Sequence, residues 1–172
     1  MNRNEIKNAH EDSVIDSFKR YSASFGNVID VISKPEPPDA IITINGNPSW
    51  IEITDAFFSP ELAESITTHV SDDKPHKSVP KEKRFCIDPD ERFSSILESV
   101  IVKKYDKDSI GNVYKQSGSG ILLVGIMNPF SSAKDLATSE KKKIEEAIKA
   151  KDPRFGEVYL YDVHDHIFHR VL

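Results

Sequence analysis

The chain has 172 residues, of which 38% are hydrophobic and 30% are charged, and its formal net charge is −5. This length suits one domain with a sizeable core, and the composition is ordinary for a globular protein. Proteins that coat nucleic acid nonspecifically need many Lys and Arg residues, so the acidic balance argues mildly against that class. It does not exclude a nuclease, because carboxylates that hold metal ions bias the total downward.

Targeting signals and membrane spans are not expected. Residues 1–10 are polar and charged, and the longest apolar run, residues 120–127, is strand-sized. We therefore expect no signal peptide and no membrane partner. The single cysteine, Cys86, excludes an internal disulfide framework and suits a reducing compartment such as the cytoplasm. We interpret Cys86 as a small apolar residue near the core.

The first predicted elements are a helix, a strand and a hairpin. Apolar residues recur at helical spacing over residues 4–22, which predicts an amphipathic helix that ends before Gly26. The β-branched residues 28–32 predict a strand, and the proline-rich segment 34–38 is expected to be extended. Two further strands then flank the turn signal Asn-Gly, at residues 40–44 and 50–53.

The middle of the chain combines a short helix with a polar stretch. Residues 57–70 are predicted to be partly helical, with Pro60 at the first helical position. The lysine-rich stretch 71–84 predicts a mobile loop or lid, and the alternative is a solvated insertion. A short strand is expected at residues 85–87.

The last third completes an α/β pattern. Residues 90–107 predict a second amphipathic helix, and the apolar run 121–127 predicts a strand buried on both faces. A helix at 139–150 and strands at 158–161 and 167–171 follow. We therefore expect a single α/β domain with a central mixed β-sheet flanked by helices, and a polar loop insertion.

Two acidic residues lie across the predicted hairpin. Asp39 follows Pro38 at the start of one strand, and Glu52 lies in the next strand between Ile51 and Ile53. A hairpin can bring the start of one strand beside the end of its neighbour, so the two carboxylates can approach each other. Burying a charge between two isoleucines is costly unless that charge is paired or binds a cation. Two facing carboxylates suit a hard divalent ion such as Mg²⁺.

Simpler interpretations of these residues stay open. Asp39 can be a turn former after proline, since Asp is a favoured turn residue. Glu52 can be the satisfied partner of a Lys or Arg in the core.

The segments Pro38-Asp39 and Glu52-Ile53-Thr54, with the Asn-Gly hairpin between them, resemble the PD-(D/E)XK phosphodiesterase superfamily. This superfamily includes many restriction endonucleases and archaeal Holliday-junction resolvases. The resemblance covers residues 4–56 well, residues 90–127 loosely, and the rest hardly at all.

The resemblance implies a fold, a cofactor and an activity. It implies a restriction-endonuclease-like core and hydrolysis of DNA phosphodiester bonds with Mg²⁺ or Mn²⁺. Many members dimerise to cut both strands, which leaves a homodimer open here. An acidic residue on the preceding helix often joins the metal site, and Glu11 matches that position, with Glu5 as the reserve. The implied metal ligands are therefore Glu11, Asp39 and Glu52.

Thr54 departs from the family pattern, which has Lys at this position. That Lys is thought to orient the attacking water and to stabilise negative charge on the phosphate. Lys103 and Lys104 lie on the second predicted helix and are candidates for a replacement. Lys104 fits better because it shares a helical stripe with Leu97 and Ile101. The implied catalytic residues are thus Asp39, Glu52 and Lys104, unless the site binds metal poorly and the protein is inactive.

Basic and histidine-rich segments offer weaker signals. The candidate nucleic-acid contacts are Lys77, Lys81, Lys83 and Arg84. A further lysine run lies at residues 141–143, and both segments can equally be solvated surface. A zinc interpretation of His164, His166 and His169 has little support, because no cysteine joins them at ligand spacing.

Three functional hypotheses follow. The first is a Mg²⁺-dependent nuclease acting on DNA, which the retention of Asp39, Glu52 and Lys104 favours. The second is a noncatalytic nuclease-like domain that binds nucleic acid or a partner protein, which Thr54 favours. The third is a small interaction or immunity-type protein without a nucleic-acid role, which fits the acidic balance.

Overall fold

The computed structural model describes residues 2–70, 75–83 and 88–172, and these residues form six α-helices and six β-strands. A single 3-10 turn covers Lys81–Lys83. The elements follow one another along the chain in this order: α1 (Arg3–Ala23), β1 (Ile29–Ser33), β2 (Ala40–Ile44), β3 (Asn47–Phe57), α2 (Pro60–Val70), α3 (Pro89–Tyr105), α4 (Asp108–Ser117), β4 (Gly120–Met127), α5 (Ala133–Ser139), α6 (Lys141–Lys149), β5 (Phe155–Asp162) and β6 (Phe168–Arg170).

The six strands form one mixed sheet in which they are ordered as in the chain, from β1 to β6. Strands β1, β2 and β3 are antiparallel neighbours, whereas β3, β4 and β5 run parallel and β6 is antiparallel to β5. Parallel neighbours need long crossover connections, and these crossovers contain helices α2 to α6. The predicted α/β class with a central mixed sheet flanked by helices is confirmed.

Each face of the sheet is covered by its own apolar cluster. Helix α1 buries Val14, Ile15 and Phe18 against one face, which includes Ile51 and Ile53 of β3. On the other face, residues of α3 to α6 pack against a different set of strand side chains. That cluster includes Trp50, Phe93, Leu97, Ile101, Ile110, Leu122, Val124, Leu136, Ile144 and Ile148. Strand β4 is buried along nearly its whole length, as the apolar run predicted.

Trp50 fixes the position of β3 against β4. Its indole lies over Gly120, where an added Cβ would overlap the ring, and its Nε1 donates to the carbonyl of Gly118 at 2.9 Å. Glu52 is two residues further along β3, so the same anchor holds the strand that carries the candidate site.

The hairpin is tighter than predicted. Asn45 and Gly46 both have positive φ, 51° and 82°, as a two-residue turn between antiparallel strands requires. Strand β3 begins directly afterwards at Asn47 and continues to Phe57, so it extends beyond the predicted 50–53 at both ends. The proline-rich segment bends at residues 36–39, where an extended segment was predicted.

The helical prediction at 90–107 matches one helix, α3. Helix α3 ends at Tyr105, and α4 begins at Asp108. The prediction missed α4 and α5, which are only 10 and 7 residues long, and helices this short depend on tertiary packing for their stability. The predicted strand at 85–87, with Cys86, lies outside the described residues.

The polar insertion is described only in part. Residues 75–80 contain neither helix nor strand, and residues 71–74 and 84 lie outside the described residues. No helix in the described ranges has both the length and the apolarity that crossing a membrane requires.

Candidate active site

Glu52 is a buried carboxylate paired with a lysine from a distant helix. Its residue surface is 2% exposed, and its Oε1 accepts a hydrogen bond from Lys104 Nζ at 2.6 Å. Lys104 also donates to the carbonyl of Ile53 at 3.2 Å. Trp50 and Glu52 share one face of β3 by the two-residue period of a strand, and α3 covers that face. The stripe that buries Leu97 also directs Lys104 towards β3.

A second lysine approaches the same carboxylate. Lys107, at the N-cap of α4, has its Nζ 3.7 Å from Glu52 Oε1. The other oxygen, Oε2, is buried and has no hydrogen-bond partner among the described residues. A buried carboxylate oxygen without a partner is costly, and such atoms often mark the position of a water or an ion.

Asp39 lies directly opposite Glu52 in the hairpin. Strands β2 and β3 pair Ala40 with Ile51, so the preceding residue of β2 faces the following residue of β3. Asp39 is 8% exposed, and its Oδ2 accepts a hydrogen bond from the backbone N–H of Ile53 at 2.7 Å. The two carboxylates that the sequence placed across a hairpin therefore share one end of the β2–β3 pair.

The electrostatics of Asp39 reflect this crowding of carboxylates. The pKa of Asp39 is raised to about 6, chiefly by burial and next by the negative charge of Glu52, with a smaller contribution from Glu11. The Ile53 N–H and Lys104 act in the opposite direction and do not cancel the increase. A cation bound at this carboxylate would favour its ionised form and oppose the shift.

Glu11 and Glu36 approach Asp39 from two other parts of the chain. Oxygens of these three carboxylates lie within 4.8 Å of one another, a spacing that could hold a metal ion. Glu11 comes from α1, where the sequence predicted a ligand. Glu36 comes from the proline-rich segment, and sequence reasoning missed it, although an acidic residue three positions before Asp39 was a usable signal.

This carboxylate cluster borders a pocket of about 280 Å³ at the rim of the sheet. Lys7 pairs with Glu11 at 3.4 Å and also with Glu36, and Lys34 pairs with Asp12. The pocket lining consists of Asn8, Glu11, Asp12, Lys34, Pro35, Glu36 and Asp39. Glu52 is not in this lining, so Asp39 is the residue that connects the pocket to the pair of Glu52 and Lys104.

The donor set fits a divalent cation of the Mg²⁺ type. Carboxylate oxygens from Glu11, Glu36 and Asp39 are hard ligands, and Glu52 Oε2 is an additional buried oxygen without a partner. Of the predicted ligands, Glu11 and Asp39 belong to this group, whereas Glu52 does not and instead pairs with Lys104. The reserve candidate Glu5 instead forms a capping box with Asn2 at the start of α1.

Among the predicted nucleic-acid contacts, the structure describes the side chains of Lys77 and Lys81. Lys77 pairs with Glu64 of α2 at 2.6 Å, and Lys81 is exposed in the 3-10 turn. The side chain of Lys83 and all of Arg84 lie outside the described residues. In the later lysine run, Lys143 pairs with Glu98 at 3.4 Å.

A second polar network lies on the α1 face of the sheet, and no pattern in the sequence indicated it. His10 Nε2 is 3.2 Å from Asp55 Oδ2, and the Tyr161 hydroxyl donates to Asp55 Oδ1 at 3.2 Å. Gly125 lies between Asp55 and Tyr161 in the sheet register, and a Cβ there would overlap both side chains. The hydrogen bond to Asp55 raises the pKa of His10. His166 lies nearby and shares a 2.9 Å hydrogen bond with Ser17.

Comparison with known proteins adds no relative. No family model, curated protein or solved structure matches the chain. Functional inference therefore depends on the geometry of the carboxylates and lysines and on the motif resemblance.

Proposed function

We propose that the protein is a divalent-cation-dependent nuclease that hydrolyses phosphodiester bonds of DNA, with a PD-(D/E)XK-like site. The observation that carries the proposal is the 2.6 Å bond from Lys104 to Glu52, opposite Asp39. In this superfamily a lysine accompanies the aspartate and glutamate of the hairpin, and Thr54 leaves that role open here. Lys104 provides a cation at the same carboxylate from α3.

The order of elements supports the same proposal. A helix, three antiparallel strands, three further helices and a fourth strand parallel to the third follow one another along the chain. This succession is compatible with the core that the motif resemblance implies. A shared fold can host unrelated activities, so the proposal rests on the carboxylates and the lysine rather than on topology.

The roles of the residues follow from their positions. Asp39, Glu11 and Glu36 would hold the ion, and Glu52 Oε2 is available as a further ligand. A bound divalent ion supplies a more acidic water and a polarised phosphate oxygen. Lys104 holds the Glu52 carboxylate in place. It also adds positive charge near the substrate phosphate, which becomes more negative in the transition state.

A noncatalytic nuclease-like domain is the second candidate, and a specific observation favours it. Lys7 neutralises Glu11 and Glu36, and Lys104 neutralises Glu52. These pairs compensate part of the negative charge without a metal. Such a domain would bind nucleic acid or a partner protein through the same surface and would not cleave.

The test compares the parent protein with two variants altered on the same strand. Plasmid and single-stranded DNA are incubated with Mg²⁺ or Mn²⁺ and with the parent, Glu52→Gln or Asp55→Asn. Asp55 is the matched control, because it is a paired carboxylate on β3 that lies on the opposite face. We expect cleavage by the parent and by Asp55→Asn, and a loss of more than about 100-fold in Glu52→Gln, since even supporting partners of metal ligands contribute 10–100-fold.

Calorimetric titration with Mn²⁺ supplies a readout that does not depend on cleavage. Binding by the parent that weakens in Asp39→Asn supports a metal centre. No cleavage by the parent together with no Mn²⁺ binding would reject the nuclease proposal. Binding of DNA without cleavage would leave the noncatalytic candidate.

A further inference from the structure

The two lysines beside Glu52 differ in how their ammonium groups are used. Lys104 makes two hydrogen bonds, to Glu52 Oε1 and to the carbonyl of Ile53, and its side chain is 19% exposed. Lys107 approaches the same oxygen at 3.7 Å, which is beyond hydrogen-bonding distance, and its side chain is 49% exposed. Lys104 is therefore a mostly buried partner of the carboxylate, whereas Lys107 is a half-exposed cation near the same oxygen.

The backbone of Lys107 takes part in a hydrogen bond at the start of α4, whereas its side chain is half exposed. Its carbonyl accepts a hydrogen bond from the Gly111 N–H at 3.0 Å, which starts α4. Tyr105 and Ile110, on either side in the sequence, are buried in the core. The α3–α4 corner thus fixes the backbone position of Lys107. Its long side chain ends in an ammonium group whose three N–H donors can turn towards solvent.

This arrangement suits contact with a phosphate. Lysine binds phosphates as a compact point charge on a flexible stem. A phosphate group that approached Glu52 and Asp39 would bring negative charge to buried carboxylates, so a cation at the solvent side would reduce that repulsion. The attraction of Lys107 to Glu52 keeps its ammonium near this position before a substrate arrives.

We propose that Lys107 contacts a backbone phosphate of the nucleic-acid substrate, and that Lys104 does not. This inference rests on the proposed nuclease function and assigns substrate binding to a residue that the sequence motif does not include. Two lysines from the basic segments of the sequence are less suitable. Lys77 and Lys143 form ion pairs with exposed or half-exposed glutamates, and neither lies at the candidate site.

The test measures how DNA binding depends on salt. Fluorescence anisotropy with a labelled DNA duplex and a labelled single strand is recorded over a series of salt concentrations. Ca²⁺ replaces Mg²⁺, and gel analysis verifies that the DNA stays intact. The variants are Lys107→Gln, Lys107→Arg and the control Lys151→Gln. Lys151 pairs with Asp106 at 2.8 Å on the same α3–α4 corner, so its removal tests for a general loss of positive charge.

Loss of one phosphate contact lowers the slope of log affinity against log salt by about 0.9 for duplex DNA and about 0.7 for a single strand. We expect this change in Lys107→Gln only, with the slope retained in Lys107→Arg and in Lys151→Gln. Thermal melting verifies that each variant is folded. In cleavage assays Lys107→Gln should raise KM more than it lowers kcat.

The outcomes separate this inference from the proposed function. A parent that binds and cleaves DNA, with an unchanged salt slope in Lys107→Gln, would overturn the role of Lys107 and leave the nuclease proposal standing. Equal slope losses in Lys107→Gln and Lys151→Gln would also overturn it, because they indicate a nonspecific charge effect. A parent that neither binds nor cleaves DNA would overturn both.

Discussion

Strand β3 carries a carboxylate on each face, and the two carboxylates differ in how many of their oxygens have a partner. Asp55, on the α1 face, has both oxygens paired, one with His10 and one with the hydroxyl of Tyr161. Glu52, on the α3 face, has one oxygen paired with Lys104, while its buried Oε2 has no partner among the described residues. The same strand therefore carries one carboxylate with both oxygens paired, Asp55, and one with an unpaired oxygen, Glu52.

This difference separates a structural network from a candidate site. A fully paired polar group in the interior contributes to stability and specifies how elements pack. An unpaired buried oxygen costs stability and persists where something else uses it. Asp55 has the features of an anchor between α1 and the sheet, whereas Glu52, with Asp39 opposite it, has those of a binding group.

Replacing Lys104 is the most direct test of the difference between Glu52 and Asp55. Lys104→Met should lower kcat by about 10²–10³-fold, since removing a single stabilising donor at a reaction centre has effects of this size. It also leaves Glu52 as a poorly compensated buried charge, which should reduce stability by up to about 3 kcal/mol. Single-turnover DNA cleavage and urea denaturation measure the two effects.

Lys103→Met is the matched control for that variant, because Lys103 is the exposed neighbour on the same helix. Equal losses of activity in the two variants would contradict a specific role of Lys104. Full activity in Lys104→Met would contradict it as well.

A smaller effect is expected on the opposite face. Asp55→Asn should lower the free energy of unfolding by about 2 kcal/mol, because hydrogen bonds to charged groups contribute about 1.5–3 kcal/mol. The variant should keep most of the parent's DNA cleavage at temperatures well below its melting point. Urea denaturation and cleavage assays measure the two quantities. Loss of cleavage without loss of stability would show that the two faces do not differ as described.

The smallest expected effect is a change in how stability depends on pH. The hydrogen bond to Asp55 raises the pKa of His10 against the opposing effect of burial, and the charges of Asp55 and Glu11 raise it further. A raised pKa means that folding favours protonated His10. Its contribution is therefore fully present below the unfolded value of about 6.5 and is lost as the pH rises through the folded pKa.

Thermal melting of the parent and of His10→Gln over a pH series measures this contribution. The difference in Tm should be largest near pH 6 and should shrink at higher pH, within the range where histidines titrate. His166 acts in the opposite direction, since burial and nearby positive charges lower its pKa. The charge of His10 contributes to this lowering, so the difference between the two proteins combines the loss of His10 with its effect on the pKa of His166. A difference that grows with pH would contradict the assignment.

Local pattern was sufficient for much of the fold. Helical spacing predicted α1 and the course of α3, and the Asn-Gly turn predicted the hairpin that brings Asp39 opposite Glu52. The stripe on α3 identified Lys104 rather than Lys103 as the inward-facing lysine, and the structure has Lys104 bonded to Glu52. These inferences succeed because each depends on the period of a single element or on one tight turn.

Tertiary structure decided the remaining parts of the site. Glu36, Lys107 and the Asp55 network were not predicted, although all of their residues are visible in the sequence. Glu36 joins Glu11 through the bend of the proline-rich segment, and Lys107 reaches Glu52 through the corner between α3 and α4. The periodicity of the sequence is enough to say which side chains share a face of a helix or strand. Long-range packing, which no local period encodes, decides which of these faces meet. It therefore also decides which carboxylates are paired with a cation and which keep an oxygen without a partner.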